Sequence, residues 1–174
     1  MKISTKNGDG GKTKLVFMRE VSKASPNVCA YGALDDCSAT IGLARSFAPE
    51  GTAKKLLRIQ EKLVFLMTEL ATAREDFPKL AEKNIKTLGE SDLAELEAQI
   101  DAYEGGGNTF RGWTHSGENS LQASLDMARA RCRNAEREIV KLAEADGLAR
   151  DFPLRYVNRL SDLLYLMAQD AAAK

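Results

Sequence analysis

The sequence predicts an all-α fold, an up-and-down bundle of five helices around a four-helix core, and three observations predict it. Leu121, Leu125, Ala128, Cys132, Ala135, Ile139 and Leu142 alternate steps of four and three, the spacing of a bundle seam. Leu56, Ile59, Leu63, Leu66 and Leu70 repeat those steps in an earlier segment. Elsewhere there is almost no strand signal, and the connections between periodic segments are short, as neighbouring helices require.

In chain order, residues 1 to 25 are the only stretch without helical periodicity. Lys2 to Ser4 reads as a short extended piece, followed by the turn-forming run Asn7-Gly8-Asp9-Gly10-Gly11. Ser25-Pro26 is a helix start, with an N-cap and proline at the first helical position, and this helix is expected to reach Phe47 before Pro49-Glu50-Gly51 breaks it. The second helix is expected over Thr52 to Asp76, ended by Phe77-Pro78. Ser91-Asp92 opens a shorter helix to Tyr103, and Gly105-Gly106-Gly107 starts a loop to Glu118. The fourth helix is expected over Asn119 to Ala145 and the last over Pro153 to Ala171, whose core face is Val157, Leu160, Leu164 and Met167. No internal repeat is present.

The 174 residues suffice for one domain over 1–174, and 25 basic against 25 acidic residues leave no overall field for nucleic acid or an anionic membrane. No run of about 18 apolar residues occurs, and the N-terminus turns polar at once, so a cytoplasmic protein is expected. Cys29, Cys37 and Cys132 sit among helix-forming residues with no CxxC pair and read as small buried hydrophobes. The single histidine, His115, makes neither a metal cluster nor, without a nucleophile motif, a triad.

Three polar features exceed what a bundle needs. Thr5 to Thr13 combines glycines, hydroxyls and lysines, the makings of an anion-binding nest, although the Walker A spacing is absent. Arg129, Arg133, Glu136 and Arg137 fall within about a third of the helix circumference, beside the seam. Arg155, Asn158, Asp162 and Gln169 share a face of the last helix. Each stripe is either a solvated surface or the wall of a cleft, and the loop supplies what a cleft would hold, an anion such as a nucleotide phosphate.

Together these segments resemble the PduO-type ATP:cob(I)alamin adenosyltransferases. The family's Y-T-K-T-G-D-x-G-x-T is similar to Ser4-Thr5-Lys6-Asn7-Gly8-Asp9-Gly10-Gly11-Lys12-Thr13, and its x-x-K-x-x-P to Ser22-Lys23 and Pro26. A-Y-G-x-x-D-E-L-N-A is matched by Ala30 to Ala39, and R-I-Q-x-x-L-F by Arg58-Ile59-Gln60 and Leu63. A-R-x-x-C-R-R-A-E-R is matched by Ala128-Arg129 and Cys132 to Arg137, and Y-L-N-R-L-S-D-L-L-F by Tyr156 to Tyr165.

The resemblance implies a ferritin-like, cobalamin adenosyltransferase-like helical domain with residues 1–25 as its nucleotide-binding loop. It implies transfer of the 5′-deoxyadenosyl group of ATP to the cobalt of cob(I)alamin, with Mg²⁺ brought by the nucleotide and no metal ligand from the protein. A homotrimer with sites between subunits follows, along with a reductase as electron donor and an adenosylcobalamin-dependent acceptor enzyme. By position, Thr5, Lys6, Asn7, Gly8, Thr13, Lys14 and Lys23 would hold the triphosphate, and Arg133, Glu136, Arg137 and Asn158 would complete the ATP site from a neighbouring subunit. Asp35 would pair with Arg129 across the interface, Asp162 would lie near the reacting centre, and Phe110 and Trp113 would stand on the corrinoid side. This chain departs from the family at Asn7, Asp36, Ser38 and Ser116-Gly117-Glu118, and Asn134 replaces the second arginine of the R-R pair. Weaker or altered phosphate contacts are expected from Asn134, and a differently shaped corrinoid-side loop over 105–118. The alternatives are a protein that binds ATP and cobalamin for delivery or sensing without efficient transfer, and a structural bundle with a charged face.

Overall fold

The computed structural model describes residue 6, residues 8–107 and residues 115–173. An antiparallel hairpin comes first, β1 Lys12–Lys14 and β2 Glu20–Ser22, in the register Lys12 to Ser22, Thr13 to Val21 and Lys14 to Glu20. Among the described residues six helices follow: α1 Pro26–Phe47, α2 Glu50–Leu70, α3 Pro78–Glu82, α4 Glu90–Gly105, α5 Ser120–Glu144 and α6 Phe152–Ala172. Single 3-10 turns occupy Val16–Met18 and Arg74–Asp76.

The seams bury as their periodicity requires. Leu125, Ala128, Cys132, Ala135, Ile139 and Leu142 of α5 are buried against α1 and α6. Leu56, Ile59, Leu63, Leu66 and Leu70 of α2 join the same core. The last helix buries far more than a stripe, because α5 packs on one side of it and α4 on another. Tyr156, Val157, Leu160, Leu163, Leu164, Leu166 and Met167 are all buried, leaving only a narrow polar strip. Asn119 caps α5 through its side-chain oxygen, which accepts from the Gln122 amide at 2.9 Å.

Several expectations are corrected. The N-terminal segment holds a hairpin over 12–22, where only an extended piece at Lys2 to Ser4, outside the described residues, was expected. Its strands are three residues each and largely polar, so no alternation marks them. The first helix ends at Phe47 as expected, but the second starts at Glu50, with Pro49 as its N-cap, instead of at Thr52, and ends at Leu70 instead of Asp76. Pro78 begins a further short helix, α3, its missing N–H costing nothing at a first helical position. Cys37 and Cys132 are buried, but Cys29 is only half-buried, on a turn of α1 that nothing fully covers.

A part-buried ion pair ties the end of α2 to the segment that leads into α6. Arg150 donates to both oxygens of Glu69, at 2.8 and 2.6 Å, and to the Leu88 carbonyl at 2.8 Å. Its guanidinium also faces the rings of Phe152 at 4.7 Å and Phe77 at 5.6 Å. Glu69 is 4% exposed, and such a carboxylate is tolerated only when paired this fully.

Candidate functional site

The first half of the site is the hairpin and the loop before it. Gly11 takes φ +74°, which glycine adopts without strain, and its amide donates to the Gly8 carbonyl at 3.2 Å. The Lys23 amide donates to the Gly11 carbonyl at 2.9 Å, closing the loop onto the end of β2. A Cβ on Gly8 would come within 2.7 Å of Lys23 Nζ, so a side chain there would push the ammonium off the loop. Lys6 and Lys14 are exposed, and Thr13 is half-buried in β1. Lys12 is occupied: it donates to Glu20 at 2.7 Å, and that bond raises the lysine and lowers the glutamate from their ordinary ionisation. Thr5 and Asn7 lie outside the described residues.

Polar groups anchor this hairpin to the chain after α2. The Val16 amide donates to the Ala71 carbonyl at 2.9 Å. Arg19 Nε donates to Asp76 at 3.0 Å, and Lys79 donates to the same carboxylate at 2.7 Å. Those two bonds hold the buried Asp76 carboxyl below the usual range. Sequence reasoning missed this anchor, since Arg19 and Asp76 are 57 residues apart.

The second half lies on α5 and α6. Asn158 Nδ2 donates to Glu136 Oε1 at 2.7 Å, across the two helices. Arg159 donates to Asn158 Oδ1 at 2.6 Å and lies 3.4 Å from Asp162. Four side chains therefore form one polar run, Glu136 to Asn158 to Arg159 to Asp162. Burial is the largest influence on Asp162 and raises its carboxyl; Arg159 and Arg133 pull it down, and Glu136 adds to the rise. Arg133 is exposed beside this run, and among the described residues no carboxylate pairs with it. Arg137 donates to Asn134 at 3.2 Å, so the asparagine that departs from the family pattern accepts from a neighbouring arginine. Arg159 was not singled out from sequence, although its i, i+3 spacing to Asp162 was a usable signal.

Not every predicted member joins. Arg155 leaves the face it shares with Asn158 and Asp162, and binds Glu90 of α4 with two hydrogen bonds of 2.8 and 3.0 Å. A long side chain at the edge of a face follows the nearest carboxylate. Arg129 bonds Asp126 one turn back at 2.7 Å, and Asp35 is exposed on α1; a pairing between subunits would join Arg129 to a second chain. Gln169 is half-buried on α6. Phe110 and Trp113 lie outside the described residues. Among the described residues, no hydrogen bond or ion pair links the hairpin to α5 or α6.

Chemically, the array offers cations and hydrogen-bond donors but no activated nucleophile. The adjoining Cys37 thiol and burial push the Cys132 thiol well above its ordinary range. No three acidic, thiol or imidazole groups converge on a metal position among the described residues. Nor is any helix among them long and apolar enough to cross a membrane.

A family model described as cobalamin adenosyltransferase matches residues 3–171. The chain is 36% identical over 170 residues to the corrinoid adenosyltransferase PduO of Citrobacter freundii, covering 97% of this chain but 49% of that protein. It thus spans about half the length of that relative. A corrinoid adenosyltransferase of Bacillus subtilis is 35% identical, with 100% of this chain and 88% of the relative covered. A variant PduO-type ATP:corrinoid adenosyltransferase from Lactobacillus reuteri, complexed with cobalamin and ATP, superposes with a TM-score of 0.87 at 31% identity. That match covers 99% of this chain and 91% of the other.

Proposed function

The chain belongs to the cobalamin adenosyltransferase family, and from that premise we propose that it transfers the 5′-deoxyadenosyl group of ATP to cob(I)alamin. The cobalt of the corrinoid substrate is the nucleophile. It attacks C5′, the C5′–O bond breaks, and triphosphate leaves with the electron pair, so no serine, cysteine or histidine nucleophile is required. The observation that carries the proposal is Arg133, exposed and without a carboxylate partner among the described residues, beside the Glu136–Asn158 hydrogen bond. An unneutralised guanidinium is suited to the charge that develops on a departing phosphate.

The remaining groups have roles in keeping with their surroundings. Lys23 over Gly8, with Lys6, Lys14 and Thr13, would bind the triphosphate, joined by Thr5, Asn7 and Arg137. Glu136 holds the Asn158 amide in one orientation, which leaves the asparagine ready to direct the nucleoside. Asp162 and Arg159 stand next in that run, and Asp162 would lie near the reacting centre. Mg²⁺ would arrive on the ATP phosphates, since no cluster of acidic, thiol or imidazole groups that could hold it occurs among the described residues. Among the described residues no hydrogen bond or ion pair joins the two halves of the site, which is in keeping with a homotrimer whose loop from one subunit meets α5 and α6 of the next. Asp35 and Arg129 would pair there, and Phe110 and Trp113 would face the corrinoid. The setting proposed is the cytoplasm, with a reductase supplying electrons and an adenosylcobalamin-dependent enzyme receiving the product.

A single-turnover assay under strong reductant tests this: the cob(I)alamin spectrum should convert on adding ATP. Arg133→Ala should slow that conversion by about 10²–10³-fold. Intact protein that binds ATP and leaves cob(I)alamin unchanged overturns the enzyme and leaves the delivery or sensing role.

A further inference from the structure

Away from this site, α2 presents a cation at successive turns: Lys55, Arg58 and Lys62 lie on one face at steps of three and four. Across from them α4 offers Asp92 and Glu95, then Gln99 and Tyr103, so its carboxylates stop after the first turns. Lys62 takes both, at 3.1 Å from Asp92 and 2.7 Å from Glu95. Lys55 lies over the Tyr103 ring, 5.3 Å from its centre. Arg58 is exposed and has neither hydrogen bond nor ion pair among the described residues.

Between the two helices is a pocket of ≈ 200 Å³, lined by all three cations, with Ile59, Leu96 and Tyr156 among its apolar walls. Tyr156 is 0% exposed, yet its hydroxyl has no partner. Burial pushes its ionisation above the phenol range, so the group remains a neutral hydrogen-bond donor. A buried hydroxyl left unpaired is uncommon and calls for an occupant. Tyr156 is two residues from Asn158, about 200° around α6, which separates this pocket from the Glu136–Asn158 pair.

We infer that this pocket binds a small monocarboxylate. Its carboxylate takes the Tyr156 hydroxyl, Arg58 and Lys55, and its short hydrocarbon chain lies against Ile59 and Leu96. Lys62 is held by Asp92 and Glu95, which leaves Arg58 and Lys55 as the cations for the ligand. A phosphate leaves the apolar walls wetted, and a nucleotide is too large for the volume.

Calorimetric titration of the full chain with butyrate, at constant ionic strength with chloride as the balancing anion, tests the assignment. One saturable site is expected, with butyrate bound more tightly than inorganic phosphate. Arg58→Gln and Tyr156→Phe should each weaken butyrate by about tenfold or more, as loss of a charge-assisted hydrogen bond does. Tyr156→Phe keeps the ring that stacks on Phe152 at 6.1 Å, and Arg58 is exposed, so both variants should fold. Arg133→Gln should leave butyrate binding unchanged. Absence of saturable binding up to roughly 50 mM, equal binding by either pocket variant, or tighter binding of phosphate overturns the inference. So does a Tyr156→Phe variant that gains thermal stability while binding butyrate as before, the behaviour of a buried hydroxyl that no ligand satisfies.

Discussion

The Asp162 carboxyl lies 3.4 Å from Arg159, half-exposed at the end of the Glu136–Asn158–Arg159 run, and burial there raises its ionisation. A folded pKa above the unfolded one means that the charged form is disfavoured by folding. The penalty is present at neutral pH and is relieved as pH falls through the folded pKa. Asp162→Asn should therefore raise Tm at pH 7 while slowing adenosyl transfer, and the Tm gap should close in acid. A gap that stays constant with pH would assign the effect to shape instead of charge. Met18 shows strain of another kind. It is 68% exposed at φ +66°, and its neighbour Phe17 has the same φ. The left-handed region costs a non-glycine residue about 1–2 kcal/mol, against about 0.5–1 kcal/mol for the extra freedom of an unfolded glycine. Met18→Gly should thus stabilise the protein by about 0.5 kcal/mol, read from the denaturant midpoint at unchanged slope. Neither strain nor a raised carboxyl can be read from sequence, since each depends on neighbours supplied by the fold.

Among the elements, the hairpin is the one whose position rests on few contacts. It is held to the end of α2 by the Val16 amide and by Arg19 on Asp76, with Lys79 bracing the same carboxylate. Because the loop bearing Gly8 and Lys23 hangs from this hairpin, Asp76 would be a positioning residue for the proposed triphosphate site. Asp76→Asn keeps the shape and removes the charge. KM for ATP should rise roughly fivefold with kcat nearly unchanged, the signature of lost ground-state binding. A parallel fall of kcat and Tm would instead make Asp76 a part of the general scaffold. The helices were legible because their apolar spacing is an internal property of each segment: the α5 and α2 seams bury as the steps of three and four require. The hairpin was not legible, since Lys-Thr-Lys and Glu-Val-Ser carry no alternation beyond one residue each, and their pairing depends on the tight turn between them.

For the whole molecule, the proposed trimer makes each active site a joint possession of two chains. Lys23→Ala and Arg133→Ala should each be nearly inactive alone. Co-expressed in equal amounts, they should recover about a quarter of wild-type activity, since a mixed cyclic trimer regains one intact site of three. No recovery in verified mixed oligomers would place both halves in one chain. At this scale the sequence by itself determined the helices, their buried seams, and the loop and stripes of candidate residues, because spacing along one chain dictates which side chains share a face. Only the tertiary structure decided the partners. It took Arg155 to Glu90, set Glu136 against Asn158, buried Glu69 under Arg150 and left the Tyr156 hydroxyl unpaired. A face belongs to one helix, but a contact belongs to two, and the second depends on packing that no periodicity within either segment encodes.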